Sequence, residues 1–109
     1  MRYIIEIKAI IRRERLQIVK EKLAEKGFYG LTHWHVMGRG KQRGVRIEGV
    51  QYDELPKEML YIVVHDEHKT EVLMTIIHAA RLNQRGNPGD GRIFINKLEE
   101  GYTISDQLL

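Results

Sequence analysis

A glycine-rich stretch, residues 83–91, stands directly before a cationic side chain, Arg92. Its sequence is NQRGNPGDG, with three glycines and one proline. Backbone N–H groups in such turns can surround an anion, and an adjacent guanidinium supplies charge for a phosphate. An ordinary turn is the alternative, because Asn-Pro and Asp-Gly are common turn dipeptides. The stretch lacks the Gly-Lys-Ser/Thr ending of a Walker A loop, so its residues leave phosphate binding and a plain turn both open.

A second glycine-rich stretch interleaves cations with an amide. Residues 38–56 read GRGKQRGVRIEGVQYDELP. Lys41 and Arg43 could hold an anion, and Gln42 offers a neutral oxygen to a metal ion or a hydrogen-bond donor. Its 19 residues far exceed the usual connection of about 4–6 residues, and connections of such length are usually functional or disordered. A solvated loop without a ligand is the alternative.

The histidines and the single tryptophan are interpreted as structural. His33 and His35 lie two residues apart on a predicted strand and share a face, whereas His65 and His68 flank a strand end. Neither pair has a carboxylate or cysteine at the spacing of a known metal site, which favours packing or surface positions over metal binding. Trp34 lies between the first two histidines and is expected in the core.

Composition sets wide limits on function. The chain has 109 residues, no Cys and a formal charge of +3, which predicts a single domain, residues 1–109, without disulfides. No nucleophile elbow or pair of carboxylates suited to acid–base chemistry is evident, so we expect no enzyme. No apolar run approaches the ~20 residues of a membrane span, and the charged start is unlike a signal peptide, so the cytoplasm is the expected location. The mild positive charge permits an anionic ligand, and it leaves a nucleic-acid-binding module or a small phosphate-handling enzyme as alternatives.

Hydrophobic periodicity places both glycine-rich stretches in a repeated strand–helix–strand pattern. Alternation predicts four strands, and apolar stripes at helical spacing predict two helices. The strands are residues 3–11, 30–37, 58–65 and 92–98, and the helices are residues 12–26 and 67–83. The order β-α-β-β-α-β is that of the ferredoxin-like α+β sandwich, with both helices on one face of an antiparallel sheet. Gly27 is expected to end the first helix in a left-handed conformation, and residues 102–104 of the C-terminal segment 99–109 are expected to add an edge strand.

Three motifs, in order and at compatible spacings, resemble those of the PII (GlnB-like) nitrogen-regulatory proteins. They are Gly38-Arg39-Gly40-Lys41-Gln42-Arg43-Gly44, Leu55-Pro56-Lys57 and Gly89-Asp90-Gly91-Arg92-Ile93-Phe94. The likeness continues in register over nearly the whole chain, including Gly30-Leu31-Thr32 and Ala79-Ala80-Arg81. Within the family, residues 52–57 and 87–91 look like the NifI-type subgroup that is associated with nitrogenase.

The resemblance implies a homotrimer, or a mixed trimer with a paralogue, that binds ATP or ADP and the effector 2-oxoglutarate between subunits. By this likeness the nucleotide contacts are Thr32, Gly40, Lys41, Gln42, Val63, Gly89, Asp90, Gly91 and Arg92. The 2-oxoglutarate contacts are Gln42, Arg43, Gly44 and Lys57, and Gln42 is also the ligand of a shared Mg²⁺. The likeness further implies that segment 38–56 is a signalling loop that docks on a target protein such as nitrogenase. Nucleic acid is not expected as a partner, because strands 58–65 and 92–98 lack the aromatic-rich pattern of RNA-binding sheets.

The chain departs from the family pattern in three places. Thr103 and Ser105 stand where the family usually has two arginines that contact the nucleotide phosphates, so the resemblance does not fix the preference between ATP and ADP. The signalling loop is several residues shorter than in the archetypal members. Tyr52 resembles the tyrosine that some members carry uridylylated, which makes it a possible modification site, but the shorter loop changes its setting and we do not predict modification there. The stretch before Pro88 is longer than usual.

Overall fold

Two strand–helix–strand units build the chain, as the periodicity predicts. The computed structural model describes residues 2–39, 45–47, 50–52 and 54–108. In chain order its elements are β1 (Ile4–Arg12), α1 (Leu16–Glu25), β2 (Thr32–Gly38), β3 (Val45–Ile47), β4 (Val50–Tyr52), β5 (Leu55–His65), α2 (Lys69–Ala80), β6 (Gly91–Leu98), β7 (Tyr102–Thr103) and β8 (Gln107–Leu108). A 3₁₀ turn precedes each helix, at Arg13–Arg15 and at Asp66–His68.

The main sheet has four antiparallel strands in the order β2-β5-β1-β6. Ile7 of β1 pairs with Ile62 of β5 on one side and with Ile95 of β6 on the other. The first strand therefore lies in the middle of the sheet, beside the first strand of the second unit, which is the ferredoxin-like arrangement. The predicted fold class, an antiparallel α+β sandwich, is confirmed.

The hydrophobic core lies between one face of this sheet and the two helices. Alternate residues of β1 point into it, and the neighbouring β5 adds Leu60 and Ile62. The helices contribute the residues at helical spacing that the sequence showed, including Val19 of α1 and Val72 of α2. Each fully buried aliphatic side chain contributes about 1.5–3 kcal/mol to stability. The opposite face of the sheet has no helix over it within the part of the chain that the structure describes.

Several boundaries differ from those that the sequence predicts. The first helix ends before Gly27, whose φ of 90° confirms the expected left-handed cap. The second helix ends at Ala80 rather than at residue 83, because Arg81 has extended backbone and its guanidinium donates to the carbonyl of Gln84. Strand β5 begins at Leu55, three residues before the predicted start at residue 58. The connection between the two units also contains the hairpin β3–β4, in which Ile47 pairs with Val50.

Two sequence predictions are wrong. The tail adds no edge strand to the main sheet; β7 instead pairs with β8 as a separate two-stranded hairpin. Trp34 is not in the core, since 44% of its surface is exposed. It pairs with Met59 on the sheet face that carries no helix, whereas the neighbouring histidines point to the helix side. No helix in the described ranges is long and apolar enough to cross a membrane.

Candidate ligand-binding site

A cavity of about 320 Å³ opens where β2 ends, β5 begins and the turn before β6 folds back. It brings together five residues that the sequence predicts as ligand contacts: Lys57, Gly89, Asp90, Gly91 and Arg92. The remaining lining residues are Ile10, Gly38, Arg39, Asn87 and Pro88. Two cationic side chains that are 35 positions apart in the chain, Lys57 and Arg92, thus face one glycine-rich turn.

The turn is organised by the carboxylate of Asp90. Its Oδ2 accepts a hydrogen bond of 2.6 Å from the backbone N–H of Asn87, and its Oδ1 accepts one of 3.1 Å from Nε of Arg12. Arg12 also donates through Nη2 to the carbonyl of Pro88, at 2.9 Å. Burial by itself would raise the pKa of Asp90, but these hydrogen bonds and the Arg12 charge outweigh it and lower that pKa. Asp90 is therefore an internal support of the turn in this structure, so its carboxylate is engaged within the protein.

Two glycines are required by the shape of this turn. Gly89 has a φ of 92° and Gly91 a φ of 125°, both in the region that side chains disfavour. A Cβ on Gly91 would overlap the carbonyl oxygen of Ile10 and lie 2.9 Å from its carbon. The backbone of the turn can therefore pass close to β1 only because no side chain is present there. The same lack of side chains leaves room for a ligand to approach the backbone.

Lys57 is the most buried of the cations that line the cavity among the described residues. Only 7% of the residue is exposed, and its Nζ donates to the carbonyl of Gly89 at 2.7 Å. Burial, followed by repulsion from the Arg12 guanidinium, lowers the pKa of Lys57. A poorly solvated ammonium gains strongly from an anion placed beside it. The cavity is consequently suited to a carboxylate or phosphate group at this end.

Two other predicted contacts lie elsewhere in the chain. Thr32 pairs with Tyr61, and Val63 pairs with Glu6, on the sheet face that carries no helix. Val63 is six residues along β5 from Lys57, a separation of about 20 Å at ~3.3 Å per residue. Thr32 and Val63 are therefore neighbours on that face, but the structure does not bring them to the cavity within one chain.

The remaining predicted contacts cannot be placed. Gly40, Lys41, Gln42, Arg43 and Gly44 lie outside the described residues. Tyr52 ends the short strand β4, whose backbone pairs with β3, and its side chain lies outside the description. The ligand contacts and the possible modification site assigned to these residues therefore stay predictions.

Arg12 and the partner of the strand histidines are site residues that no sequence motif indicates. Nδ1 of His33 and Nδ1 of His35 lie 2.6 and 2.5 Å from the two carboxylate oxygens of Glu58. Both rings lie at the surface, with 34% of the His33 side chain and 70% of the His35 side chain exposed, and a buried carboxylate that the sequence does not reveal lies between them. Burial would raise the pKa of Glu58, and the hydrogen bonds from His33 and His35 more than offset this and lower it. No group of three metal-ligating side chains is arranged to hold an ion within the described ranges.

Comparisons with known proteins agree on one family. A family model described as "Nitrogen regulatory protein P-II" matches residues 4–107. The chain is 49% identical over 98 residues, 90% of each chain, to "Nitrogen fixation nifHD1 region GlnB-like protein 1" of Methanosarcina barkeri. It is 46% identical over 99 residues, 91% of each chain, to the nifHD2 region GlnB-like protein 1 of the same organism. It is 42% identical over 98 residues, again 90% of each chain, to the nifHD region glnB-like protein 1 of Methanococcus maripaludis.

Proposed function

The chain belongs to the nitrogen regulatory protein P-II family, and from this premise we propose that it senses nitrogen status by binding ATP or ADP together with 2-oxoglutarate. In this proposal the bound ligands set the conformation of segment 38–56, which docks on a target protein or leaves it. The protein acts as a regulator and catalyses no reaction. An effector can shift such an equilibrium only as far as its affinities for the two loop states differ, so docking requires distinct bound and released forms.

The observation that carries this proposal is the cavity at the base of the segment. Lys57 and Arg92 supply positive charge on two sides of it, and the turn around Gly89 exposes backbone close to the space between them. Cations and unobstructed backbone N–H groups are what phosphates and carboxylates require. Segment 38–56 begins at Gly38, which lines the same cavity. A ligand here would touch both the turn and the first residue of the segment.

Magnesium completes the proposed ligand set. Gln42 would offer its amide oxygen to a Mg²⁺ that the nucleotide and 2-oxoglutarate share, because Mg²⁺ prefers oxygen ligands and commonly keeps substrate phosphates among them. Lys41, Arg43 and Gly44 would approach the same ligands from the segment. These assignments rest on the family motif.

An assembly of three subunits would unite the two groups of nucleotide contacts. Val63 lies about 20 Å along β5 from Lys57, and Thr32, which pairs with Tyr61, lies about 13 Å along the sheet from it, both on the uncovered face. A nucleotide could contact both groups at once in a cleft where the uncovered face of one copy meets the turn of another. We therefore propose a homotrimer, or a mixed trimer with a paralogue, with the nucleotide bound between subunits.

The target is proposed from the relatives. Their names place them in nifHD regions of nitrogen fixation, which supports nitrogenase, or another protein of nitrogen metabolism, as the regulated partner. A pull-down of purified nitrogenase components by the immobilised protein, with and without 2-oxoglutarate, tests this choice. Equal retention under both conditions, or none under either, would contradict it.

Calorimetry tests the ligand set. We expect saturable binding of Mg-ATP to the full chain, and tighter binding when 2-oxoglutarate is present. Arg92→Ala should weaken nucleotide binding by roughly tenfold, the loss of one charge-assisted contact of about 1.5 kcal/mol. Arg2→Ala is the matched control, because Arg2 is exposed and pairs with Glu67 at the other end of the sheet. No heat of Mg-ATP binding, with or without 2-oxoglutarate, would overturn the proposal.

A further inference from the structure

A carboxylate is buried on the helix side of the sheet, directly behind the ligand cavity. Glu58 is 0% exposed and lies at the core-facing position of β5 that pairs with Ile11 and with His35. Its two oxygens are bound by Nδ1 of His33 and of His35. Since an ionised carboxylate can only accept, both rings present an N–H at Nδ1. Nε of Arg13 lies 3.9 Å from the same carboxylate.

A contribution to folding stability does not explain why a carboxylate is buried in this cluster. Taking a carboxylate out of water costs several kcal/mol, and replacing buried ionic groups by well-packed apolar residues is often neutral or stabilising. An aliphatic residue at position 58 would continue the apolar row of Leu60 and Ile62. Nε of Arg13 is also buried without a hydrogen-bond partner among the described residues. The cluster therefore carries an energetic cost that a plain core would avoid.

The cluster holds the same stretch of backbone that presents Lys57 to the cavity. Neighbouring residues of a strand point to opposite faces, so Glu58 faces the helices while Lys57 faces the cavity. Arg13 connects the two, because its Nη2 donates to the carbonyl of Lys57 at 3.3 Å. The peptide unit that joins Lys57 and Glu58 is thus fixed from the helix side.

Strand β2 connects the two histidines to Gly38, the first residue of segment 38–56. Gly38 lies three residues beyond His35, and a Cβ on Gly38 would be only 3.0 Å from Cγ of Lys57. The path of the Lys57 side chain therefore depends on where the end of β2 lies. In the main sheet β2 is an edge strand that pairs only with β5. The hydrogen bonds of His33 and His35 to Glu58 therefore add a second constraint on the position of its end.

We propose that Glu58, with His33, His35 and Arg13, is a positioning group that sets Lys57 for its ligand. This inference takes the identity of the ligand from the proposed function. The effect of Glu58 on the glycine turn can be measured without any ligand and does not depend on that function. Lys57 reaches the carbonyl of Gly89 only while β5 and β2 keep their relative position. Loss of the Glu58 charge releases β2, shifts Lys57 and loosens the glycine turn.

A ligand-free experiment tests this arrangement first. Amide hydrogen exchange is measured on the full chain for Asn87 and Asp90, whose N–H groups are bonded within the turn. Glu58→Gln should speed exchange of both by about tenfold, as Lys57→Met should, because both remove the support at Gly89. Ile62→Val, which shortens a core side chain on the same strand, is the control for general destabilisation and should leave the turn unchanged. Unchanged exchange in Glu58→Gln, or equal acceleration in Ile62→Val, overturns the inference.

A double-mutant cycle then tests the route through Lys57. Calorimetric affinity for 2-oxoglutarate in the presence of Mg-ATP should fall about tenfold in Glu58→Gln, while in the Lys57→Met background the same change should have no further effect. Additive losses would show a role independent of Lys57 and contradict the proposal. If the unmodified protein binds no 2-oxoglutarate, the proposed function fails, and the exchange measurement alone decides the positioning role.

Discussion

Replacing Gly91 by alanine should be the most destabilising single-methyl addition among the glycines of the turn region. Two costs combine at this position. An L-residue held at a φ of 125° is strained by about 1–2 kcal/mol. The added Cβ would also overlap the Ile10 carbonyl oxygen and lie 3.2 Å from the Cα of Ile11, so β6 must move away from β1. This movement sacrifices one or two ladder hydrogen bonds near the pair Ile11 and Gly91, at about 1 kcal/mol each. The expected total is about 2–4 kcal/mol.

Two glycines of the same chain separate these costs. Gly27 also has a positive φ, but open space surrounds its missing Cβ, so Gly27→Ala should cost only the strain of about 1–2 kcal/mol. Gly30 has neither feature, and Gly30→Ala should change stability by less than about 0.5 kcal/mol. Urea unfolding of the three variants measures the order. If Gly91→Ala costs no more than Gly27→Ala, the close approach of the turn to β1 is wrong.

Three further predictions concern charge. Lys57→Met should weaken 2-oxoglutarate binding by about 10–100-fold in calorimetry, because the most buried cation of the cavity is lost, whereas Met at the exposed Lys69 should have no effect; equal losses in both variants would contradict the assignment. Asp90 has a lowered pKa, so its contribution to stability is present above the ordinary carboxyl pKa of about 3.9 and is lost as the pH falls through its lower folded value. Urea unfolding from pH 7 to pH 2 should therefore show a shallower acid decline for Asp90→Asn than for the unmodified protein, and parallel curves would refute the argument. Thr103→Arg should tighten Mg-ATP binding by about fivefold, since a guanidinium adds a charge-assisted contact of about 1 kcal/mol to a phosphate; unchanged affinity would show that this position does not face the nucleotide.

The elements of the fold could be read from hydrophobic periodicity because the core uses the alternation directly. Buried residues recur at every second position of β1, and those of α2 recur at helical spacing. Trp34 shows where this reasoning stops. Alternation separates the two faces of a strand, but it does not tell which face the helices cover or that β2 lies at the edge.

The site was predictable only in part, and for a related reason. Glycines and cations in the two long connections pointed to an anion site, and the turn at residues 86–91 indeed lies beside Lys57. Contacts between distant residues could not be read from the sequence. Arg12 meets Asp90 across 78 positions, and Glu58 lies on the core-facing side of β5, in the same row as the apolar Leu60 and Ile62. From the sequence alone, a carboxylate at the start of a strand is interpreted as exposed. Its burial becomes evident only when the structure places the histidines of β2 opposite it.

A crystal structure of the protein with Mg-ATP and 2-oxoglutarate tests the central claim most directly. We expect nucleotide phosphates against Gly89, Gly91 and Arg92, a carboxylate of 2-oxoglutarate at Nζ of Lys57, and Gln42 at the Mg²⁺. We also expect the adenine to lie on the uncovered sheet face of a neighbouring copy, near Thr32 and Val63. A cavity that stays empty under saturating ligand, or a nucleotide bound wholly within one chain and away from the glycine turn, would contradict it.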